Sequence, residues 1–174
     1  LNTRDRLVNK GEARNYGLEL TLEKFYSKNY YFLLTASVFD SKYTGSDNVK
    51  RNTAFNSNFV VNALIGKEIN INDRSTLVFD TKVSWAGGKR DTPIDPEASR
   101  NAQNAFSTQY IEEEAFSLQL PDYLKADIKI GFRKDGNKVS QIWEFYIENV
   151  TNHDNVLFRT YNKSRDRIED VKQL

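Results

Sequence analysis

Cysteine and methionine are both missing from the 174 residues. The first absence excludes disulfide staples, thiol nucleophiles and zinc–thiolate sites. Histidine occurs once, as His153. A catalytic or metal-bound histidine needs charged partners and supporting hydrogen bonds, and the surrounding TNHDN (151–155) reads as a turn. An excess of one charge is missing too: 25 basic residues against 24 acidic ones leave +1, so no overall field draws in nucleic acid or an anionic surface. No window approaches the ~18 consecutive apolar residues of a spanning helix, so any membrane role falls to strands or to surface attachment. The mean hydropathy of −0.67 does not exclude strands, because those of a membrane barrel are apolar on one face only. The opening LNTRDRLVNKGEARNYG has neither an initiator methionine nor an apolar leader, and reads as a piece of a longer chain.

What is present is a two-residue period from end to end. In YLKADIKIGFRK (123–134), Leu124, Ala126, Ile128, Ile130 and Phe132 fall on one side of an extended chain, and Lys125, Asp127, Lys129 and Arg133 on the other. GLELTLEKFY, YYFLLTASVF, NFVVNALIGKEI, TLVFDTKVSW and KVSQIWEFYIENV repeat the pattern, with NVLFRTY as a shorter candidate. Only 96–110, poor in β-branched residues, has the makings of a turn or two of helix. No linker divides the chain, so 1–174 reads as one all-β unit, an antiparallel up-and-down meander. The period alone leaves open what lies against the apolar face, lipid or a protein core.

The connections bear on that choice. FYSKN, NINDRS and KDGNK are short, with Asp135 and Gly136 supplying a hairpin turn. Residues 40–57 and 86–121 are long. Compact soluble domains rarely hold structureless loops beyond about 12–15 residues, whereas outer-membrane barrels have short turns at one rim and long loops at the other. The strands mostly match or exceed the ~9–11 residues that cross a bilayer at a tilt. Phe25, Tyr26, Tyr30 and Tyr31 flank the first turn and Trp85 closes the fourth strand; these are candidates for interfacial aromatic girdles or for ordinary hairpin packing.

NKGEARNYGLELTLEK (9–24), RNTAFNSNFVVNALIGKE (51–68), GGKRDTPID (87–95) and EFYIENVTNHDNVL (144–157) resemble, in that order, the C-terminal barrel strands of TonB-dependent outer-membrane receptors, chiefly those of Bacteroidetes-type bacteria. The resemblance implies a fragment of a large transmembrane β-barrel of about 22 strands in the bacterial outer membrane. It further implies outer-membrane lipid, an N-terminal plug domain and TonB as partners, with a surface lipoprotein as a further candidate. The function implied is import of a scarce ligand, an iron chelate, cobalamin, sugar or peptide, with no catalysis and no cofactor. Plug, TonB box and closing strand are absent from this sequence. The alternative from the residues is a soluble all-β binding module, carbohydrate-binding or lipocalin-like, with its apolar faces turned inward.

Chemistry-bearing patterns are sparse. GGKR (87–90) lacks the spacing of a phosphate-binding loop, Glu112, Glu113 and Glu114 read as a solvated loop, and no carboxylate pair is singled out for glycosidase work. The charged residues opposite the apolar faces, Glu19, Glu23, Asp80, Lys82, Lys125, Asp127, Lys129, Arg133, Glu144 and Glu148, are expected to pair with one another rather than with ligand. Ligand contact is expected in the long loops, at Arg90, Asp91, Arg100, Gln103, Tyr110 and Glu114; no metal site is expected.

Overall fold

The computed structural model describes residues 11–103 and 108–173. The protein is all-β, 64% strand and 6% helix. In chain order the elements are β1 (Glu12–Ser27), β2 (Tyr30–Thr44), the short β3 (Lys50–Asn52), β4 (Phe59–Asn72), β5 (Ser75–Ala86), β6 (Arg90–Asp91), helix α1 (Pro96–Asn101), a 3-10 turn (Glu112–Glu114), β7 (Leu118–Gln119), β8 (Tyr123–Asp135), β9 (Ser140–Ile147), β10 (Asn155–Asn162) and β11 (Arg167–Gln173). The main sheet runs β1-β2-β4-β5-β8-β9, with β3 folded back onto β2; β6–β7 and β10–β11 form separate two-stranded ladders. Every pairing is antiparallel, and consecutive long strands are neighbours, as a meander requires.

Register gathers the alternating residues of six strands into two continuous faces. One carries Leu18, Leu20 and Leu22 of β1; Phe32, Leu34, Ala36 and Val38 of β2; and Phe59, Val61, Ala63 and Ile65 of β4. It continues through Leu77, Phe79, Thr81, Val83 and Trp85 of β5, Leu124 to Phe132 of β8, and Trp143, Phe145 and Ile147 of β9. Thr81 and, beside Phe79, Lys67 of β4 are the polar residues on it. This face is open: Leu18 is 79% exposed, Ile65 55% and Phe145 66%. The chain exposes 12855 Å², against about 8,800 Å² for a folded monomer of this mass. Among the described residues the buried apolar side chains are only Ile94, Leu120 and Tyr161, none of them on the main sheet. A sheet normally buries one face; this one buries neither within the chain.

The opposite face is charged and internally paired. Lys129 bridges Asp80 (2.8 Å) and Glu144 (3.3 Å), Lys125 reaches Glu148 (2.6 Å) and Asp127 (3.7 Å), and Arg133 holds Glu68 (3.1 Å). The lysine pairs join adjacent strands or alternate residues on one strand, as the register allows, while Arg133 of β8 reaches across β5 to Glu68 of β4. Glu19, Glu23 and Lys82, expected to pair on this face, make no ion pair among the described residues: each has its charge turned to solvent with no opposite charge in reach. Tyr31 lies across this face with its hydroxyl donating to Asp80 (2.9 Å). Gly66 makes that possible: a Cβ there would stand 2.2 Å from the Tyr31 ring.

The short connections are tighter than the sequence suggests. Lys28 and Asn29 alone join β1 to β2, with φ of 53° and 64°, the left-handed pair of a two-residue hairpin. Asp73 and Arg74 join β4 to β5. The Asp135–Gly136 turn differs from expectation: the loop is 136–139, closed by a Gly136 N–H to Val139 carbonyl bond of 3.0 Å, and no described glycine has positive φ. A register shift between Lys24 and Ser27 also redistributes the aromatics of the first turn. The Tyr26 hydroxyl donates to Glu68 (2.8 Å), so Tyr26 and Tyr31 serve the charged face rather than the rim of the apolar one. That rim holds different aromatics: Phe132 stacks on Trp143 at the short-turn end (5.8 Å, 15°), and Phe59 meets Trp85 edge-on at the other (4.8 Å, 68°).

Helix α1 falls within the segment expected to be helical, capped by Asp95, whose carboxylate accepts from the Ala98 N–H (2.9 Å); residues 104–107 of that segment lie outside the described residues, as do Asn9 and Lys10 of the first strand motif. β11 has no counterpart in the sequence reading, because Ile168 and Val171 are three apart among charged residues and do not alternate. β1 and β9 are the two edges of the main sheet, each paired on one side only.

Candidate functional site

The long connections gather at one end of the sheet and are bonded to one another. Asn56, fully buried, is the hub of the first. Its amide donates to Asp40 and Asn52 (both 2.9 Å) and its side-chain oxygen accepts from the Ser41 N–H (2.9 Å). Arg51 donates to the Glu113 carbonyl (3.1 Å) and pairs with Asp47 (2.6 Å). The Val49 N–H and then the Arg51 guanidinium hold Asp47 below the usual carboxylate range. The edge-on contact of Tyr43 with Phe116 completes the junction between 45–58 and 87–122. The β10–β11 hairpin closes the cluster: Thr108 and Thr160 hydroxyls lie 3.0 Å apart, Lys163 reaches the Ala102 carbonyl (2.8 Å), and Arg100 grips Asp166 with two bonds (2.8 and 3.0 Å). The Tyr161 hydroxyl also bonds Asp166. Arg100 and then Tyr161 depress the Asp166 carboxyl, and Asp166 in turn raises the Tyr161 phenol.

The six loop residues picked from sequence are not brought together. Arg90 is structural, donating to the Asn56 carbonyl (3.0 Å) and the Asn58 side chain (2.8 Å). Asp91 accepts from the Thr92 N–H (2.9 Å) through one oxygen, while its other oxygen is buried with no hydrogen-bond partner among the described residues. Arg100 is committed to Asp166. Gln103 is exposed, and Tyr110 forms an isolated backbone bridge with Ile94. Glu114 lines a cleft of about 390 Å³ with Lys42, Lys50, Arg51, Glu113 and Phe116. A second cleft of about 250 Å³ is mainly apolar, lined by Phe55, Gly88, Pro121, Tyr123 and Leu157. The cleft residues Lys50, Phe116, Phe55 and Tyr123 were invisible in sequence, since they come from separate loops with no shared spacing.

No protein-family model matches the chain, no curated protein matches it, and no solved structure matches its fold. The geometry therefore stands by itself. His153 sits in the turn expected of it, its backbone N–H donating to Asn149 and its ring Nε2 3.3 Å from the Asp122 carbonyl. Among the described residues no three His, Asp or Glu side chains converge as metal ligands, and no helix is long and apolar enough to cross a membrane. Glu68, Asp80, Glu144 and Glu148 are each engaged by lysine or arginine. What the loop cluster offers is a polar cleft and an apolar one, suited to binding.

Proposed function

We propose that this chain is part of the wall of an outer-membrane β-barrel, belonging to a TonB-energised import receptor of the bacterial outer membrane, and that it performs no catalysis. One observation carries the reading: a continuous, mainly apolar face across six strands, broken by Thr81 and Lys67, uncovered by the chain itself and bounded by aromatic pairs at both ends. Lipid is the solvent that such a face fits. From Leu124 to Phe132 the band measures about 27 Å along β8 at ~3.4 Å per residue, or about 20 Å in height at a ~40° tilt, close to the ~25 Å apolar belt of membrane barrels. The ion-paired face then looks into the lumen and onto the plug. The two free edges, β1 and β9, need further strands, because lipid leaves unpaired backbone groups unsatisfied. The order of the strand motifs, which resembles that of TonB-dependent receptors, is the ground for naming this class of barrel.

The loop cluster is the external surface, and its two clefts are where ligand or a surface lipoprotein makes contact. A soluble binding module would have to cover the same apolar face with protein, and the described residues provide no cover.

Outer-membrane fractionation of the intact protein tests this. The expected result is recovery in the outer-membrane fraction, a gel mobility that changes on heating as a folded barrel's does, and ligand uptake that depends on TonB. A protein that stays in solution without detergent and shows no heat-dependent mobility would overturn the reading.

A further inference from the structure

The two ends of the apolar face differ in charge. Toward the short-turn end lysines enter the same face: Lys24 and Lys134 follow it on β1 and β8, and Lys67 lies within its last rows on β4, before Ile69. Lys24 pairs in register with Phe32, Lys67 pairs with Tyr30 and Phe79, and Lys134 lies two residues beyond Phe132. Lys28, Arg74 and Lys138 occupy the adjoining turns. Among the described residues none of these six makes an ion pair, and Lys24 bonds only to carbonyls and a hydroxyl, lying over the Tyr30 ring at 3.7 Å. On the polar face, by contrast, Lys125, Lys129 and Arg133 are paired, Lys82 being the exception among the described residues. The long-loop end of the apolar face is mixed, with Lys42 on Asp40 (3.0 Å) and the Tyr16 hydroxyl on Asp40 (3.2 Å). The short-turn rim thus gathers six cations without an ion pair, and two of the acids beside them in sequence, Glu68 and Asp135, are taken up by Arg133.

The geometry points to anionic phospholipid headgroups as the partner of that rim. Resting on the membrane reading above, the inference adds a lipid class and an orientation. Phosphodiesters of the leaflet at the short-turn end would lie against Lys24, Lys67 and Lys134, the long lysine stems running over Tyr30 and Phe132 while the ammonium groups reach the interface. A cation beside an anionic leaflet favours that lipid by about fivefold per residue, and salt screens the preference.

The two tryptophans test it. Trp143 lies at the lysine end and Trp85 at the other, about 27 Å apart along the strands, and they are similarly exposed, at 53% and 46%. The protein is reconstituted in vesicles of phosphatidylcholine with a minor share of phosphatidylglycerol, bromine being carried on one lipid and then on the other, with Trp85→Phe and Trp143→Phe variants separating the signals. Per mole of brominated lipid, phosphatidylglycerol is expected to quench Trp143 about fivefold or more over phosphatidylcholine, and Trp85 equally with either. Lys67→Gln with Lys134→Gln should bring the Trp143 ratio toward one; adding Lys24→Gln is the second variant, kept apart because Lys24 also ties the first turn. Equal quenching of Trp143 by the two lipids, or the same preference at both tryptophans, overturns the inference while leaving the membrane reading intact, and would assign the rim to an acidic soluble partner. If neither lipid quenches either tryptophan, the membrane reading itself fails.

Discussion

An arginine walked down β8 should report depth. Leu124, Ala126, Ile128, Ile130 and Phe132 all point to the apolar face, and Ile128 is the midpoint, four residues or about 13 Å along the strand from either end. Its neighbours across the sheet are Thr81 and Ile147, which offer a guanidinium no countercharge. In a bilayer the Ile128→Arg variant should therefore lose about 2–4 kcal/mol, roughly 30- to 1,000-fold in the folding equilibrium, while Leu124→Arg and Phe132→Arg near the interfaces should lose about 0–1 kcal/mol. The intermediate positions should lie between. Reversible denaturant unfolding of the intact protein in phospholipid vesicles measures each cost. A bell centred on Ile128 supports lipid contact. A flat profile, or one following side-chain exposure, so that Ile130, 41% exposed, tolerates arginine better than Leu124, would refute the reasoning.

Other perturbations bear on the charged face and the loop cluster. Gly66→Ala forces a Cβ onto the Tyr31 ring and should cost about 1–3 kcal/mol, less in a Tyr31→Ala background, as a double-mutant cycle would reveal. Asn56→Ala leaves the Ser41 N–H without its acceptor in a buried hub and should destabilise the 45–58 loop by about 1–3 kcal/mol, read as faster hydrogen exchange there with β4 and β5 unchanged. Arg100→Ala should speed exchange at 162–167 by freeing Asp166, and Asp166→Asn should match it, with no change in the long strands. Glu169 is held at about 2, against an ordinary 4.5, by the Asn162 amide and then the Arg167 guanidinium. An acid lowered on folding stabilises fully above its ordinary value and loses that contribution as pH falls through the folded one. The β10–β11 hairpin should therefore stay closed from neutral pH through 4.5 and loosen only toward about 2, as side-chain carboxyl NMR of Glu169 would record.

The long strands were legible because the cause of their formation is local: apolar and polar residues alternate, and register then follows from turns as short as Lys28–Asn29. The pairing of Asp80, Lys129 and Glu144 was legible for the same reason, since residues on one face of adjacent strands must meet. Two things were not. The Lys24–Ser27 register shift turns Tyr26 to the charged face, and nothing in FYSK announces it. The loop cluster depends on contacts between segments far apart in sequence, such as Arg51 with Glu113 and Arg100 with Asp166, for which there is no period to read. Arg90 and Arg100 attract notice as loop cations, yet each is taken up by its own neighbours, while Lys50 and Phe116 line the polar cleft without any sequence signal.

Single cysteines placed in these cysteine-free residues, with any native cysteine elsewhere in the intact protein replaced, give the most direct measurement of what the apolar face touches. Spin labels are placed on single cysteines introduced at Ile128 and at Lys129, adjacent residues on opposite faces, and each label's collisions with oxygen, which concentrates in lipid, and with a nickel chelate, which stays in water, are compared in vesicles containing the intact protein. Lipid contact predicts that oxygen dominates at Ile128 and nickel at Lys129. Poor collision with both reagents at Ile128, the behaviour of a label packed in a protein core, or dominance of nickel there, would contradict it.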